Sequence, residues 1–149
     1  MTDQGLNRKI ISCLNQDGRK SIREVARELD VSPSTVSKHL SELTSSGAIK
    51  RFKPVLDYDK LGLNLTAITK IEAKGDEIEE IVNKLEGEES LTHVYEITGE
   101  FDIMVIGKFD NRENMNSQIK SILNDPAVEH TDTSIVLNVV KEDENAKLQ

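Results

Sequence analysis

Apolar positions in the first third of the chain recur at helical spacing. Leu6, Ile10, Cys13 and Leu14 fall on one helix face, and Asp17 with Gly18 closes that helix because glycine takes the left-handed conformation readily. Ser21 and Glu24 stand at capping-box spacing and open a second helix over about 22–29, with Ile22, Val25, Ala26 and Leu29 as its buried stripe. Only Asp30, Val31 and Ser32 separate it from a third helix, so the connection is a tight turn between crossed helices, and Ala26 is small enough to permit a close crossing. Ser32 caps this third helix and Pro33 suits its first position, where no N–H donor is needed. Val36, Leu40 and Leu43 are its apolar stripe, and Gly47 ends it. Ile49 and Phe52 then begin a short extended segment that carries Lys50, Arg51 and Lys53.

Residues 54–64, with Pro54, Asp57, Asp59 and Gly62, read as a linker. Beyond it the pattern changes. Leu65, Ala67, Thr69 and Ile71 alternate as a strand; Ile78, Ile81, Val82 and Leu85 follow a helical period; Leu91 to Thr98 is extended again. Gly99 and Glu100 turn the chain into a strand over Phe101 to Phe109. Asp110 and Glu113 cap a helix with Met115, Ile119, Ile122 and Leu123 on one face, and a last strand spans about Glu129 to Val140. The order is βαββαβ, the split βαβ or ferredoxin-like arrangement. Two helices on one side of such a sheet leave the other side needing cover, so a homodimer is expected. The fold class is therefore α+β. A helix-turn-helix domain occupies residues 1–53, a linker 54–64, a ferredoxin-like regulatory and oligomerisation domain 65–141, and a polar tail 142–149.

Charge sharpens the division. Residues 1–60 hold 11 Lys and Arg against 8 Asp and Glu, whereas the remainder holds 8 against 19, giving a mildly basic head on an acidic body. Local charge, not the global net of −8, decides whether phosphates can be met. On the third helix, the positions outside the apolar stripe are Ser34, Thr35, Ser37, Lys38, His39 and Ser41, short hydroxyls and cations able to touch phosphates and base edges. With Ser32 at its start and Lys50 and Arg51 beyond its end, they form a candidate surface for double-stranded DNA. A solvated polar face would show the same pattern on that helix, and a lysine-protected edge strand would show it at Lys50 to Lys53. With a single cysteine, no internal disulfide can form, and a reducing cytoplasm is the simpler compartment. No apolar run reaches membrane-spanning length, and the absence of tryptophan argues against a stacking surface for single strands.

The two-part chain resembles the Lrp/AsnC family, the feast/famine regulators, over essentially its whole length. The resemblance is carried by Asp17–Gly18–Arg19, Val31–Ser32 with Thr35, Val36, Leu40 and Leu43, then Gly47–Ala48–Ile49, and in the body Gly99–Glu100–Phe101–Asp102. It implies a sequence-specific DNA-binding transcription regulator with no catalytic residues, no cofactor and no bound metal. Its body would dimerise and assemble into rings of dimers such as an octamer, with an amino acid bound between dimers. The chain departs from the family in two places. Lysine and serines stand where arginines are common on the recognition helix, which shifts specificity toward DNA shape and hydroxyl contacts. Glu100 stands where an aspartate is usual.

A zwitterionic effector needs acceptors for its ammonium and donors for its carboxylate. Glu100 and Asp102 offer the first, beside Thr98 and Gly99; the Gly99 backbone and the hydroxyls of Thr131, Thr133 and Ser134 offer the second. Equally, Asp102 would complete a tight turn and the threonines would be strand formers. Two other resemblances are set against this one. The helix Ser34–Leu43 alone is similar to that of ArsR-type metal sensors, but one cysteine without paired histidines builds no thiolate cage. Siroheme decarboxylases share the two-part architecture, and their chemistry calls for histidine and arginine in the body, which here has His93, His130 and Arg112.

Overall fold

A computed structural model of the chain describes residues 3–143. The expected polar tail lies, from residue 144 on, outside the described residues. The chain divides into two units, whose described residues are 3–56 with 141–143 in the first and 57–140 in the second.

The first unit holds α1 (Asp3–Gln16), α2 (Ile22–Leu29) and α3 (Pro33–Ser45). Local chemistry fixes their ends. The Ser21 hydroxyl accepts from the Glu24 amide, and the Glu24 carboxylate accepts from the Ser21 amide and hydroxyl, each at 2.7 Å, which holds the Glu24 carboxyl below the usual range. Asp30 takes a left-handed conformation (φ 54°) at the end of α2, and its amide donates to the Ala26 carbonyl. The Ser32 hydroxyl accepts from the Thr35 amide at 3.1 Å at the start of α3, which has Pro33 in its first turn. Gly47 (φ 74°) follows the last turn. Leu6, Ile10, Cys13, Val25, Ala26, Val36 and Leu43 are buried together between the three helices. Burial raises the pKa of the Cys13 thiol, whose S–H donates to Glu28 at 3.4 Å. Ile22, expected in this core, sits at the first position of α2 and is 37% exposed. Residues 50–57 are neither helix nor strand.

The second unit is a four-stranded antiparallel sheet of β1 (Leu65–Ala73), β2 (Leu91–Glu96), β3 (Ile103–Phe109) and β4 (Val128–Ile135), in the order β2-β3-β1-β4. Helices α4 (Ile78–Glu86) and α5 (Arg112–Leu123) complete the βαββαβ order. Alternation decides which side is covered. Ala67, Thr69, Ile71 and Ala73 of β1 and Ile103 and Val105 of β3 are buried, and Ile71, Ile103 and Val105 pack with Ile81 and Leu85 of α4 and Ile122 of α5. Gly107 makes room here: a Cβ at that position would stand 2.6 Å from the Phe109 ring. The opposite sheet face carries Ile68, Met104 and Ile106, each half-buried, with Tyr95 exposed.

Four element ends differ from the sequence expectation, the first being β2, which stops at Glu96 rather than at Thr98. The last strand stops at Ile135, because its partner β1 begins at Leu65 and, after Val136 donates to the Thr66 carbonyl, no strand backbone remains to pair. Phe101 and Asp102 lie outside β3, which starts at Ile103; the Ile97 amide donates to the Asp102 carbonyl at 2.8 Å and closes residues 97–102 as a loop. The cap of α5 is Asn111, whose side chain accepts from the Asn114 amide, while Asp110 accepts from the Asn114 side chain.

Candidate DNA interface and effector loop

Helix α3 presents its buried side through Val36, His39 and Leu43. Ser32, Ser34, Ser37, Lys38 and Ser41 are exposed and Thr35 is half-buried, so these candidates gather around the start and outer side of one helix. His39 is the exception and corrects the sequence reading. It is 6% exposed, and its Nδ1 lies 2.7 Å from the Asn7 side-chain oxygen, which places it between α3 and α1 rather than on the outer face. Because that oxygen can only accept, Nδ1 carries the proton, and the ring serves as a polar member of the core. The sequence reading also missed a neighbour of Lys38: Glu42, one turn on, whose carboxylate stands 3.9 Å from the ammonium with both side chains more than half exposed. Their i,i+4 spacing was the available signal. Lys50 and Arg51 are exposed in the irregular segment after α3.

In the second unit, Thr98, Gly99 and Glu100 are exposed on the 97–102 loop, and Gly99 has φ 125°, a conformation suited to glycine. Asp102 is turned inward. Its carboxylate accepts from the Ala73 amide at 2.8 Å and its own amide donates to the Ile71 carbonyl at 3.0 Å. Ala73 lies beyond Ile71, the last β1 residue paired with β3, so Asp102 satisfies an N–H that the end of that ladder leaves over. Thr131 and Thr133 pair with Ile71 and Thr69 and share the helix-covered side, where Thr133 and Thr69 join hydroxyls at 2.9 Å. Ser134 pairs with Ile68 and belongs to the opposite side. The loop acids, the two threonines and Ser134 therefore do not converge on one concave surface within a single chain.

Phe101 crosses to the uncovered face, where its ring lies 6.1 Å from that of His130 and the Lys70 ammonium sits 4.6 Å above it. Lys70 is also paired with Asp132 at 2.6 Å. His93 and His130 occupy β2 and β4, the two edges of the sheet, and Arg112 opens α5, so the trio weighed for tetrapyrrole chemistry is dispersed. A cleft of about 180 Å³ lies elsewhere, between α4 and α5, lined in part by Ile81, Leu85, Ile122 and Val128. At its rim Lys84 is held between Asp125 and Glu80, both at 2.8 Å, which raises the lysine pKa and lowers that of Asp125. Among the described residues, no group of three or more His, Cys, Asp and Glu is arranged to hold a metal ion, and no helix is long and apolar enough to cross a membrane.

Residues 66–146 match the model of the Lrp/AsnC ligand binding domain, and residues 4–50 match a winged helix-turn-helix DNA-binding model. An uncharacterized HTH-type transcriptional regulator of Pyrococcus horikoshii is 44% identical over 138 residues, 93% of each chain. The solved structure of Escherichia coli AsnC superposes with a TM-score of 0.87 at 23% identity over 97% of each chain. A Neisseria meningitidis transcriptional regulator solved as its L-Met complex superposes equally well, at 0.87, with 20% identity over 93% of this chain and 92% of that one. The chain thus belongs to the Lrp/AsnC family of DNA-binding transcription regulators, with a winged helix-turn-helix head and a four-stranded antiparallel α+β body.

Proposed function

We propose that the protein acts as a homodimer whose two α3 helices read the two half-sites of an operator, and that an amino acid or similar small zwitterion bound at the 98–102 loop tunes its occupancy. The observation that carries the DNA part is the capped start of α3, with Ser34, Ser37, Lys38 and Ser41 exposed on a helix held from behind by Val36, His39 and Leu43. Short hydroxyls permit close approach to the groove, and Lys38 supplies a phosphate contact. One head with so few cations binds weakly alone, and a two-fold dimer doubles the contacts. The uncovered sheet face, with Ile68, Met104, Ile106 and Tyr95, supplies an apolar surface for that pairing. Half-sites are then spaced by about 10 base pairs or a multiple of that.

Mobility-shift titrations at several salt concentrations test this. Lys38→Ala is expected to weaken binding on every duplex and to flatten the salt slope by about one unit, while Ser34→Ala changes the ranking of duplexes. Static light scattering is expected to give twice the chain mass. Unchanged affinity and slope in both variants, or a monomer at micromolar concentration, contradict the reading.

For the effector, Glu100 is the acceptor to which the ligand's ammonium is assigned, since the Asp102 carboxylate is already bonded to the Ala73 amide. The other candidates, Thr98, Gly99, Thr131, Thr133 and Ser134, come from separate faces of the body, which agrees with a site completed by a second dimer. The L-Met held by the Neisseria regulator supports an amino acid as the ligand class. Calorimetric titration of the protein amino acids is expected to find one that binds the wild type and binds Glu100→Gln at least tenfold more weakly. Equal heats for the two proteins place the site elsewhere.

A further inference from the structure

At the start of α3, three hydroxyls meet on one atom. Ser32 Oγ accepts from the Thr35 amide at 3.1 Å, lies 2.8 Å from Ser34 Oγ and lies 2.7 Å from Thr35 Oγ1. A hydroxyl oxygen has one proton and two lone pairs. The Thr35 amide takes one lone pair, which leaves one lone pair and one proton for two neighbouring hydroxyls. Ser32 therefore donates to one of them and accepts from the other. The neighbour that accepts from Ser32 keeps its own proton for an outside partner; the neighbour that donates to Ser32 has only lone pairs left to offer. Ser34 is exposed and Thr35 half-buried, so the pair shows one donor and one acceptor-only oxygen to whatever docks on the start of the helix.

We propose that Ser32 is a positioning residue for sequence readout: through this triad it sets Ser34 and Thr35 to offer one donor and one acceptor, a pattern complementary to adenine. This rests on the reading of α3 as the helix that enters the major groove. There adenine presents an acceptor, N7, beside a donor, the N6 amino group, whereas guanine presents two acceptors, N7 and O6. A pair with a single free proton satisfies both groups of adenine and only one of guanine. Because Ser32 donates to either neighbour equally well, the donor and acceptor exchange places without moving a heavy atom. The triad thus meets the adenine edge in either orientation.

The test is selection of bound duplexes from a randomised pool by the full-length protein and two variants. The wild type is expected to enrich adenine over guanine about tenfold at one base pair of each half-site. In Ser32→Ala the hydroxyl that donated to Ser32 regains its proton, so both neighbours can donate outward, and the adenine-to-guanine ratio falls to within about twofold. In Ser32→Asp the carboxylate draws both protons inward, leaving only acceptors outside, and cytosine, which donates through N4, rises to match adenine. Aspartate caps helices as well as serine does, so this variant keeps the head folded, which a thermal melt checks. A Ser32 that merely caps the helix leaves base preference unchanged in Ser32→Asp and weakens all sequences alike in Ser32→Ala; that result overturns the proposal. Failure of the wild type to enrich any duplex overturns the groove reading of α3 itself and the proposal with it.

Discussion

Replacing Ile10 by alanine is expected to abolish duplex binding while the sheet domain keeps its own unfolding transition. Ile10 has no exposed surface and packs with Leu6, Cys13, Val25, Ala26, Val36 and Leu43. Removing three carbons from such a site costs about 2–5 kcal/mol, the loss of transfer energy plus that of the cavity left behind. A unit of about 65 residues has a total stability of only about 3–10 kcal/mol, because little of its surface is buried. The substitution therefore removes most of what holds the head together. Without the cluster that α1, α2 and α3 share, α3 loses the support behind its outer face. The sheet core, built from Ile71, Ile103, Val105 and their neighbours, has no residue in common with the head cluster. Scanning calorimetry is expected to show the head transition lowered or lost and the body transition in place, with mobility shifts gone. A single transition displaced by a few degrees, with binding retained, would mean that the two units fold as one.

What the sequence revealed and what it concealed divide by range. The boundaries of α2 and α3 were legible because their causes lie within four residues: Ser21 with Glu24, Ser32 with Thr35, Pro33 in the first turn, and Gly47 after the last. The buried side of β1 was legible because alternation is a local property, and Ala67, Thr69, Ile71 and Ala73 follow it. Polarity alone puts His39 on the outer face, yet it is buried. Its position, three residues after Val36 and four before Leu43, is a core position, but the Asn7 that makes its burial tolerable is 32 residues away. The end of β4 followed from where β1 begins, a fact of pairing that β4 itself does not encode. In the effector set, Thr133 and Ser134 are adjacent on a strand, so their side chains leave opposite faces. They serve one ligand only if another chain brings the faces together.

Asp102 is the residue whose two readings differ most, and its alanine variant separates them. If the carboxylate is a strut, Asp102→Ala leaves the Ala73 amide without its 2.8 Å partner just past the end of the β1–β3 ladder and releases the 97–102 loop from the strand end. An unsatisfied buried N–H costs about 1–3 kcal/mol, so the body transition should fall by several degrees. Asp102→Asn should recover much of that loss, because the amide oxygen still accepts the bond although it carries no charge. Amino acid binding would weaken in Asp102→Ala as a consequence of the moved loop, and would return in Asp102→Asn along with the stability. A carboxylate that instead holds the ligand's ammonium gives the opposite pair of results: an unshifted body transition in both variants, and binding lost in both, because a neutral amide cannot replace the charge. The geometry favours the strut, since both the backbone amide and the carboxylate of Asp102 are already spent on the end of β1. Glu100, exposed two residues earlier, is left as the charge that faces solvent.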